Sequence, residues 1–286
     1  MATPLEFKSV YNPSWCPGCG NYGIINGLRQ ALSQSGCQQH ETVVVSGIGC
    51  SGKDSHFVQA YGFEGLHGRV LPVATAIKLA NHKLKVIGCS GDGDAYGIGA
   101  GHFIHALRRN IGITYIVHNN QIYGLTTGQT SPTSEKGFTT KSTPFGVIEQ
   151  PFNPLALAIC GGATFVARVF VGEFDQMVQV MTAAIFHKGF ALVDIFQPCV
   201  TFNYKNTYPW FQERVYKLES QDGYDPRNKQ AALQMALTEG DKLPLGIFYQ
   251  ESRLTYEDQV EEIKDEPLVE QDISNINIGN LLKEFV

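Results

Sequence analysis

The sequence has no uninterrupted apolar run of membrane length, and its first residues, Met1-Ala2-Thr3-Pro4-Leu5-Glu6, lack the basic flank and apolar core of a secretion signal. A soluble, cytoplasmic protein that does not engage a membrane is therefore expected. There is no excess of positive charge either. Its 22 Lys and Arg against 27 Asp and Glu leave a formal net charge of -5 and no polycationic surface suited to a phosphate backbone, so nucleic acid is not expected as a partner. Cysteine is sparse and odd in number: 7 residues in a chain of 286, which is far too long to need a disulfide scaffold. Reduced cysteines used partly as ligands fit better. The compact cysteine spacing of bacterial ferredoxins is missing, so any cluster ligand set has to be assembled by folding.

What is there reads as alternating strands and helices. Apolar residues at Ile24, Ile25, Leu28, Ala31 and Leu32 predict a helix over 21–32, directly after Cys16-Pro17-Gly18-Cys19-Gly20. A short buried strand is expected over 42–46, running into the glycine-rich loop Gly47-Ile48-Gly49-Cys50-Ser51-Gly52-Lys53. A helix over 73–79 and a strand over 85–89 lead to Gly91-Asp92-Gly93-Asp94. Ala100, Phe103, Ile104 and Leu107 then share a helical face, and a strand over 113–117 ends at Asn119-Asn120. Residues 124–149, rich in Thr, Ser, Gly and Pro, predict a long functional loop or inter-subunit segment and not a packed element. Helix 154–160, strand 164–169, helix 173–187 and strand 191–196 follow, the last delivering Cys199 to its C-terminal end. A helix over 231–237 and a strand over 243–249 complete the pattern. The fold class is α/β, a mostly parallel open sheet with helices on both faces. Residues 1–250 are expected to form the binding domain, and 251–286 an acidic arm or tail.

Open parallel sheets hold ligands beyond the carboxyl ends of their strands, where the Gly91–Asp94 and Asn119–Asn120 groups would meet. Magnesium prefers hard oxygen donors shared with phosphate. Asp92 offers a carboxylate, Asn120 an amide oxygen and Ile122 a backbone carbonyl, while Gly91 and Gly93 allow a diphosphate close to the backbone. Asp flanked by Gly is also ordinary turn chemistry, so the motif alone is weak. Cys16 and Cys19 form a C-x-x-C pair, and Cys50 and Cys199 lie beyond expected strand ends. Four such thiolates suit an iron-sulfur cluster or a tetrahedral zinc, and the pair alone suits a redox dithiol. Cys89 and Cys160 read as small core residues, Cys37 as a residue near a helix end, and His102 and His105 as surface or packing histidines.

Taken in order, CPGCG at 16–20, GIGCSGK at 47–53, HGR at 67–69, GDGD at 91–94 and HNNQIYGLTTGQ at 118–129 resemble the thiamine-diphosphate-binding beta subunit of 2-oxoacid:ferredoxin oxidoreductases over roughly residues 10–250. The resemblance implies the thiamine-diphosphate-binding fold. It implies thiamine diphosphate held through Mg2+ by Asp92, Asn120 and the Ile122 carbonyl, within a wall that includes Gly49, His67, Gly91, Gly93, Asp94, Gly124 and Leu125. It makes Cys16, Cys19, Cys50 and Cys199 the ligands of a [4Fe-4S] cluster. Lys53 becomes a substrate contact, and Thr126 and Thr127, with Gln129, shape the substrate pocket; no catalytic side chain is assigned. The activity implied is CoA-acylating oxidative decarboxylation of a 2-oxoacid with electrons passing to ferredoxin, possible in reverse. 2-Oxoglutarate is favoured over pyruvate because no ferredoxin domains are fused. With no glutamate context for the aminopyrimidine, the resemblance also implies an alpha subunit that bears the pyrimidine-binding domain, in an alpha-beta heterodimer or its dimer. The alternatives are a pyruvate-using beta subunit and a non-catalytic iron-sulfur binding or assembly protein.

Overall fold

A computed structural model describes residues 2–238, 240–274 and 278–285. Eight strands form one sheet, in the spatial order β2-β1-β3-β4-β8-β7-β10-β9. They are β1 (Thr42–Ser46), β2 (Tyr61–Glu64), β3 (Lys85–Gly91), β4 (Ile113–Asn119), β7 (Phe165–Phe170), β8 (Ala191–Phe196), β9 (Val215–Lys217) and β10 (Leu243–Gln250). β5 (Ile122–Tyr123) and β6 (Gln129–Thr130) make a separate two-stranded hairpin. All neighbours in the large sheet are parallel except β7 and β10. Parallel pairing requires crossovers, which most of the long helices supply: α3 (Val70–Ala80), α4 (Ala100–Arg109), α5 (Pro154–Gly161), α6 (Phe174–Phe186) and α8 (Lys229–Leu237), whereas α1 (Asn21–Gln34) precedes β1. Two short helices, α2 (Asp54–Phe57) and α7 (Tyr208–Gln212), fill corners.

Both sheet faces are buried, so strand residues alternate between two cores and not between core and water. Ile87, Cys89 and Ile116 pack with α1 and α6 through Ile24, Leu28, Met177 and Met181. Val86, Tyr115 and Val117 pack on the other side with Leu71, Phe103, Leu107, Leu155 and Ile159. Burying each such aliphatic side chain stabilises the fold by about 1.5–3 kcal/mol. The approach of α1 to α6 depends on Gly27, where a Cβ would stand 2.7 Å from Met177 Cε.

The register fixes where the chemistry sits. Gly91 at the end of β3 is opposite His118, and Asn119 at the end of β4 is opposite Phe196. The loops after β3, β4 and β8 therefore leave the sheet along one edge. Strand order reverses between β1 and β3, which opens a crevice there flanked by the Gly47–Lys53 and Gly91–Asp94 loops. At the opposite edge, Asn110 Nδ2 donates to the Leu254 carbonyl at 3.1 Å and Gly112 N–H to Glu257 Oε1 at 3.0 Å, and Ile263 is buried. Among the described residues no helix is long and apolar enough to cross a membrane.

One expectation needs correction, and one element is of an unexpected kind. Between Asp92 and α4, residues 93–98 form a wide turn in which Gly99 N–H bonds to the Asp94 carbonyl at 3.1 Å, and the backbone kinks at Gly97 before α4 begins. Cys160 is exposed, not a core residue. In α5 the apolar residues run all round, so periodicity cannot tell Cys160 from its buried neighbours Leu155, Ala158 and Ile159. Cys89 and Cys37 are buried.

Candidate active site

The two carboxylates that follow β3 are each 2 % exposed, and each is held differently. Asp94 ties three loops together. Its Oδ1 accepts from His67 Nδ1 at 2.7 Å, Gly68 N–H at 2.6 Å and Ile48 N–H at 3.3 Å, and its Oδ2 accepts from Ser90 Oγ. Such crowding forces a glycine at 47, where a Cβ would fall 2.0 Å from Asp94 Oδ2. The carboxylate also sets the tautomer of His67, whose ring lines the crevice with Nδ1 committed.

Asp92 leaves its loop toward the crevice. Its Oδ2 accepts from Ser131 Oγ at 2.5 Å and Thr133 Oγ1 at 2.6 Å. Burial pushes its pKa up to about 6 against the pull of those hydroxyls, as expected for a carboxylate lacking a countercharge. Ser131 and Thr133 belong to the segment read from sequence as an unpacked loop; both are buried, which corrects that reading locally. Thr133 Oγ1 also stands 3.0 Å from Asn119 Oδ1, and Asn119 Nδ2 donates to Asp194, a fully buried carboxylate that also takes Arg168 Nε at 3.1 Å and Tyr96 Oη at 2.9 Å. The second asparagine faces the crevice. Asn120 Oδ1 accepts from Ile122 N–H at 3.1 Å, and its carbonyl from Asn203 Nδ2 at 3.0 Å. Tyr123 closes the turn by donating to the Gly93 carbonyl at 3.1 Å, with its ring where a Gly93 Cβ would be 2.1 Å away.

These groups enclose a cavity of about 550 Å3. Gly49, His67, Gly91, Asp92, Gly93, Asp94, Asn120, Ile122, Gly124, Leu125, Thr126 and Gln129 all line it. Lys53 does not; it is half-buried, and its Nζ donates to Ser14 Oγ at 3.2 Å. Thr127, at φ 75°, faces a separate groove with Phe202 and Lys141. Six lining residues were not singled out from sequence: Asn21, Ile48, Ser51, His118, Tyr123 and Gln197. Asn21 Nδ2, Ser51 Oγ and Gln197 Oε1 are buried without a hydrogen-bond partner among the described residues. Such groups are rare in a finished fold and mark a place for polar ligand atoms. The glycines at 49, 91, 93 and 124 keep backbone, not side chain, against that space, so the wall suits a diphosphate and a divalent cation bridging it to Asp92 and Asn120. His118 Nδ1 bonds to Asn21 Oδ1 at 2.9 Å, while its Nε2 lies 2.9 Å from Asp54 Oδ2, off-line for a hydrogen bond.

The cysteines gather on the far side of Gly124. A Cβ there would lie 3.5 Å from Cys199 Sγ and 3.7 Å from Cys50 Sγ, and Cys50 itself lines the cavity. Burial pushes the Cys19 thiol up to about 12, reinforced by the repulsion of Cys199, Cys50 and Cys16. All four sulfurs are thus within electrostatic reach of one another. Burial, then Cys199 and Cys16, raise Cys50 too. Thiols so resistant to ionisation require a strongly positive centre to become thiolates. Among the described residues no three His, Cys, Asp or Glu side chains converge tightly enough to hold a metal ion, and four thiols are the donor set that a [4Fe-4S] cluster or a tetrahedral zinc would take.

Comparison with known proteins shows the family. Residues 38–195 match the model of the thiamine pyrophosphate enzyme C-terminal TPP-binding domain, and residues 199–265 match that of the C-terminal part of the pyruvate ferredoxin oxidoreductase beta subunit. The 2-oxoacid:ferredoxin oxidoreductase subunit beta of Saccharolobus solfataricus is 46% identical over 260 residues, 87% of this chain and 85% of that one. The chain belongs to the 2-oxoacid:ferredoxin oxidoreductase beta subunits. Another relative of this beta subunit is the 2-oxoglutarate oxidoreductase subunit KorB of Mycobacterium tuberculosis, 48% identical over 198 residues, 69% of this chain and 53% of that one. Among solved structures, the 2-oxoglutarate:ferredoxin oxidoreductase from Magnetococcus marinus, with 2-oxoglutarate, coenzyme A and succinyl-CoA bound, superposes with a TM-score of 0.91 at 36% identity, over 99% of this beta subunit and 96% of that chain.

Proposed function

We propose that this chain carries the diphosphate-metal half of a thiamine diphosphate site and one [4Fe-4S] cluster, and that with an alpha subunit it converts 2-oxoglutarate and coenzyme A to an acyl-CoA and carbon dioxide while reducing ferredoxin. The observation that carries this reading is the shared wall. Cys50 lines the same cavity as Asp92 and Asn120, and Gly124 keeps the space between the two donor sets free of side chain. When bound, thiamine diphosphate supplies the carbon nucleophile and the cluster accepts electrons one at a time.

The chain's own residues hold and orient. Asp92, Asn120 and the Ile122 carbonyl take Mg2+, and Ser131 and Thr133 fix the Asp92 rotamer that does so. Gly49, Gly91 and Gly93 admit the diphosphate, while Asp94 holds the His67 ring against it and ties down the Ile48 amide. Leu125 and Thr126 form the side nearest the substrate. Lys53, whose Nζ donates to Ser14, would reach the substrate carboxylate by rotating its flexible stem. Cys16, Cys19, Cys50 and Cys199 ligate the cluster.

Among the described residues Asp92 and Asp94 are the only carboxylates lining the cavity, and both are committed. An acid to activate the aminopyrimidine has to come from outside this chain, which supports an alpha partner bearing the pyrimidine-binding domain. The choice of 2-oxoglutarate rests on the relatives from Mycobacterium tuberculosis and Magnetococcus marinus. A pyruvate-using enzyme is the second reading, favoured by the description of the family model that matches residues 199–265. The test is ferredoxin reduction by the co-purified alpha-beta complex with coenzyme A, run on both acids, alongside Lys53→Ala and the isolated chain. The proposal expects faster turnover of 2-oxoglutarate, a lower kcat/KM for Lys53→Ala and no turnover by the isolated chain. Preference for pyruvate changes the substrate, an unchanged kcat/KM removes Lys53 from the site, and strong activity of the isolated chain rejects the split site.

A further inference from the structure

Gln197 stands between the cavity and the cysteines. Its backbone N–H donates to the Asn119 carbonyl at 3.0 Å just beyond β8, and its side chain is 1 % exposed. The amide nitrogen points at two acceptors, Cys19 Sγ at 3.4 Å and the Pro198 carbonyl at 2.8 Å. Those neighbours fix which end of the amide is which, since a flipped amide would set its oxygen against a sulfur and a carbonyl. The other end, Oε1, is buried without a partner, and the residue lines the cavity. Gly20 makes room for this placement: a Cβ there would stand 2.6 Å from Gln197 Cγ.

A glutamine satisfied at one end only is a poor choice for stability, because an apolar side chain of the same length would fill the space without an orphaned carbonyl. Its placement is explained by what the nitrogen touches. A donor on a ligand sulfur stabilises the more negative, reduced state of a cluster and so raises its reduction potential. We propose that Gln197 is a positioning residue that tunes the electron acceptor, its N–H on Cys19 raising the potential of the cluster next to the reacting centre. The inference rests on the reading of Cys16, Cys19, Cys50 and Cys199 as cluster ligands.

The experiment is a redox titration of the alpha-beta complex, following the reduced-cluster EPR signal in the wild type, Gln197→Met and Gln197→Glu, with iron and acid-labile sulfide quantified and thermal stability recorded. Gln197→Met removes the donor and keeps the length; its midpoint potential moves negative while its Tm stays level or rises. Gln197→Glu replaces the donor with an acceptor and moves the potential at least as far. Midpoints unchanged from wild type in variants with full iron content overturn the inference, whereas a wild-type complex without iron and sulfide overturns the cluster reading itself. Should a variant lose its iron, the wild type carries the test alone. With glutamine side-chain amides labelled with nitrogen-15, the reduced cluster shows a weakly coupled nitrogen-15 nucleus; absence of that coupling overturns the inference.

Discussion

Asp92 and Asp94 are two positions apart and equally buried, yet only Asp92 turns a carboxylate toward the cavity, because Asp94 is occupied by Ile48, His67, Gly68 and Ser90. Nothing in the Gly-Asp-Gly-Asp string distinguishes them; the difference comes from loops far off in sequence. Ser131 and Thr133 are similar, ordinary loop residues in composition that become the donors holding Asp92. The pair Ser131→Ala with Thr133→Val is expected to weaken Mg2+ binding by about 10–100-fold, the usual cost of losing the groups that orient a metal ligand. Calorimetric titration of the metal-free complex with Mg2+ and thiamine diphosphate checks this, and an unchanged Kd would show that Asp92 orients itself. His187 offers a separate test of burial. Half-buried and bonded to Thr164 Oγ1 through Nε2, it has its pKa lowered by desolvation from the ordinary 6.5 to about 4. Between those values the unfolded chain binds a proton that the folded one does not, so its contribution is full above pH 6.5 and is lost as pH falls toward 4. In Tm measured against pH, His187→Gln should flatten that part of the curve; an identical slope in the variant would assign the acid sensitivity elsewhere.

At the scale of elements, most of the parallel strands and the long helices were legible because buried strands are continuous apolar runs and helices such as α1, α4 and α6 carry clear 3.6-residue stripes. β2 was not. It lies at the sheet edge with all four residues exposed, so no periodicity marks it. The wide turn at 93–98 was missed for another reason: it arises from the packing of Tyr123 against Gly93 and of Gly99 against the Asp94 and Ala95 carbonyls, contacts invisible in a linear string. The candidate site was legible where chemistry needs a rare residue type, at the cysteines, Asp92 and Asn120. It was not legible where common polar residues, Asn21, Ser51 and Gln197, acquire significance only by burial. Gly93→Ala follows from the turn. Its Cβ collides with the Tyr123 ring, so the complex is expected to lose most of its bound thiamine diphosphate while retaining iron. Equal thiamine content in wild type and variant would mean that the ring can move aside.

As a whole molecule, the sheet register brings the two proposed cofactor sites to one place. The loops after β1, β3, β4 and β8 supply, in turn, Cys50, Asp92, Asn120 and Cys199, and parallel pairing brings all four to the same edge. On the proposed reading, electron delivery from the organic reaction to the cluster is a property of this chain, while activation of the aminopyrimidine belongs to its partner. The measurement that tests this most directly is freeze-quench EPR of the alpha-beta complex after mixing with 2-oxoacid, before any ferredoxin is added. A reduced-cluster signal is expected to grow after mixing and to be absent both in thiamine-free complex and in Asp92→Ala. A cluster that stays oxidised while the 2-oxoacid is consumed, or one that is reduced equally well without thiamine diphosphate, would contradict the shared-wall account.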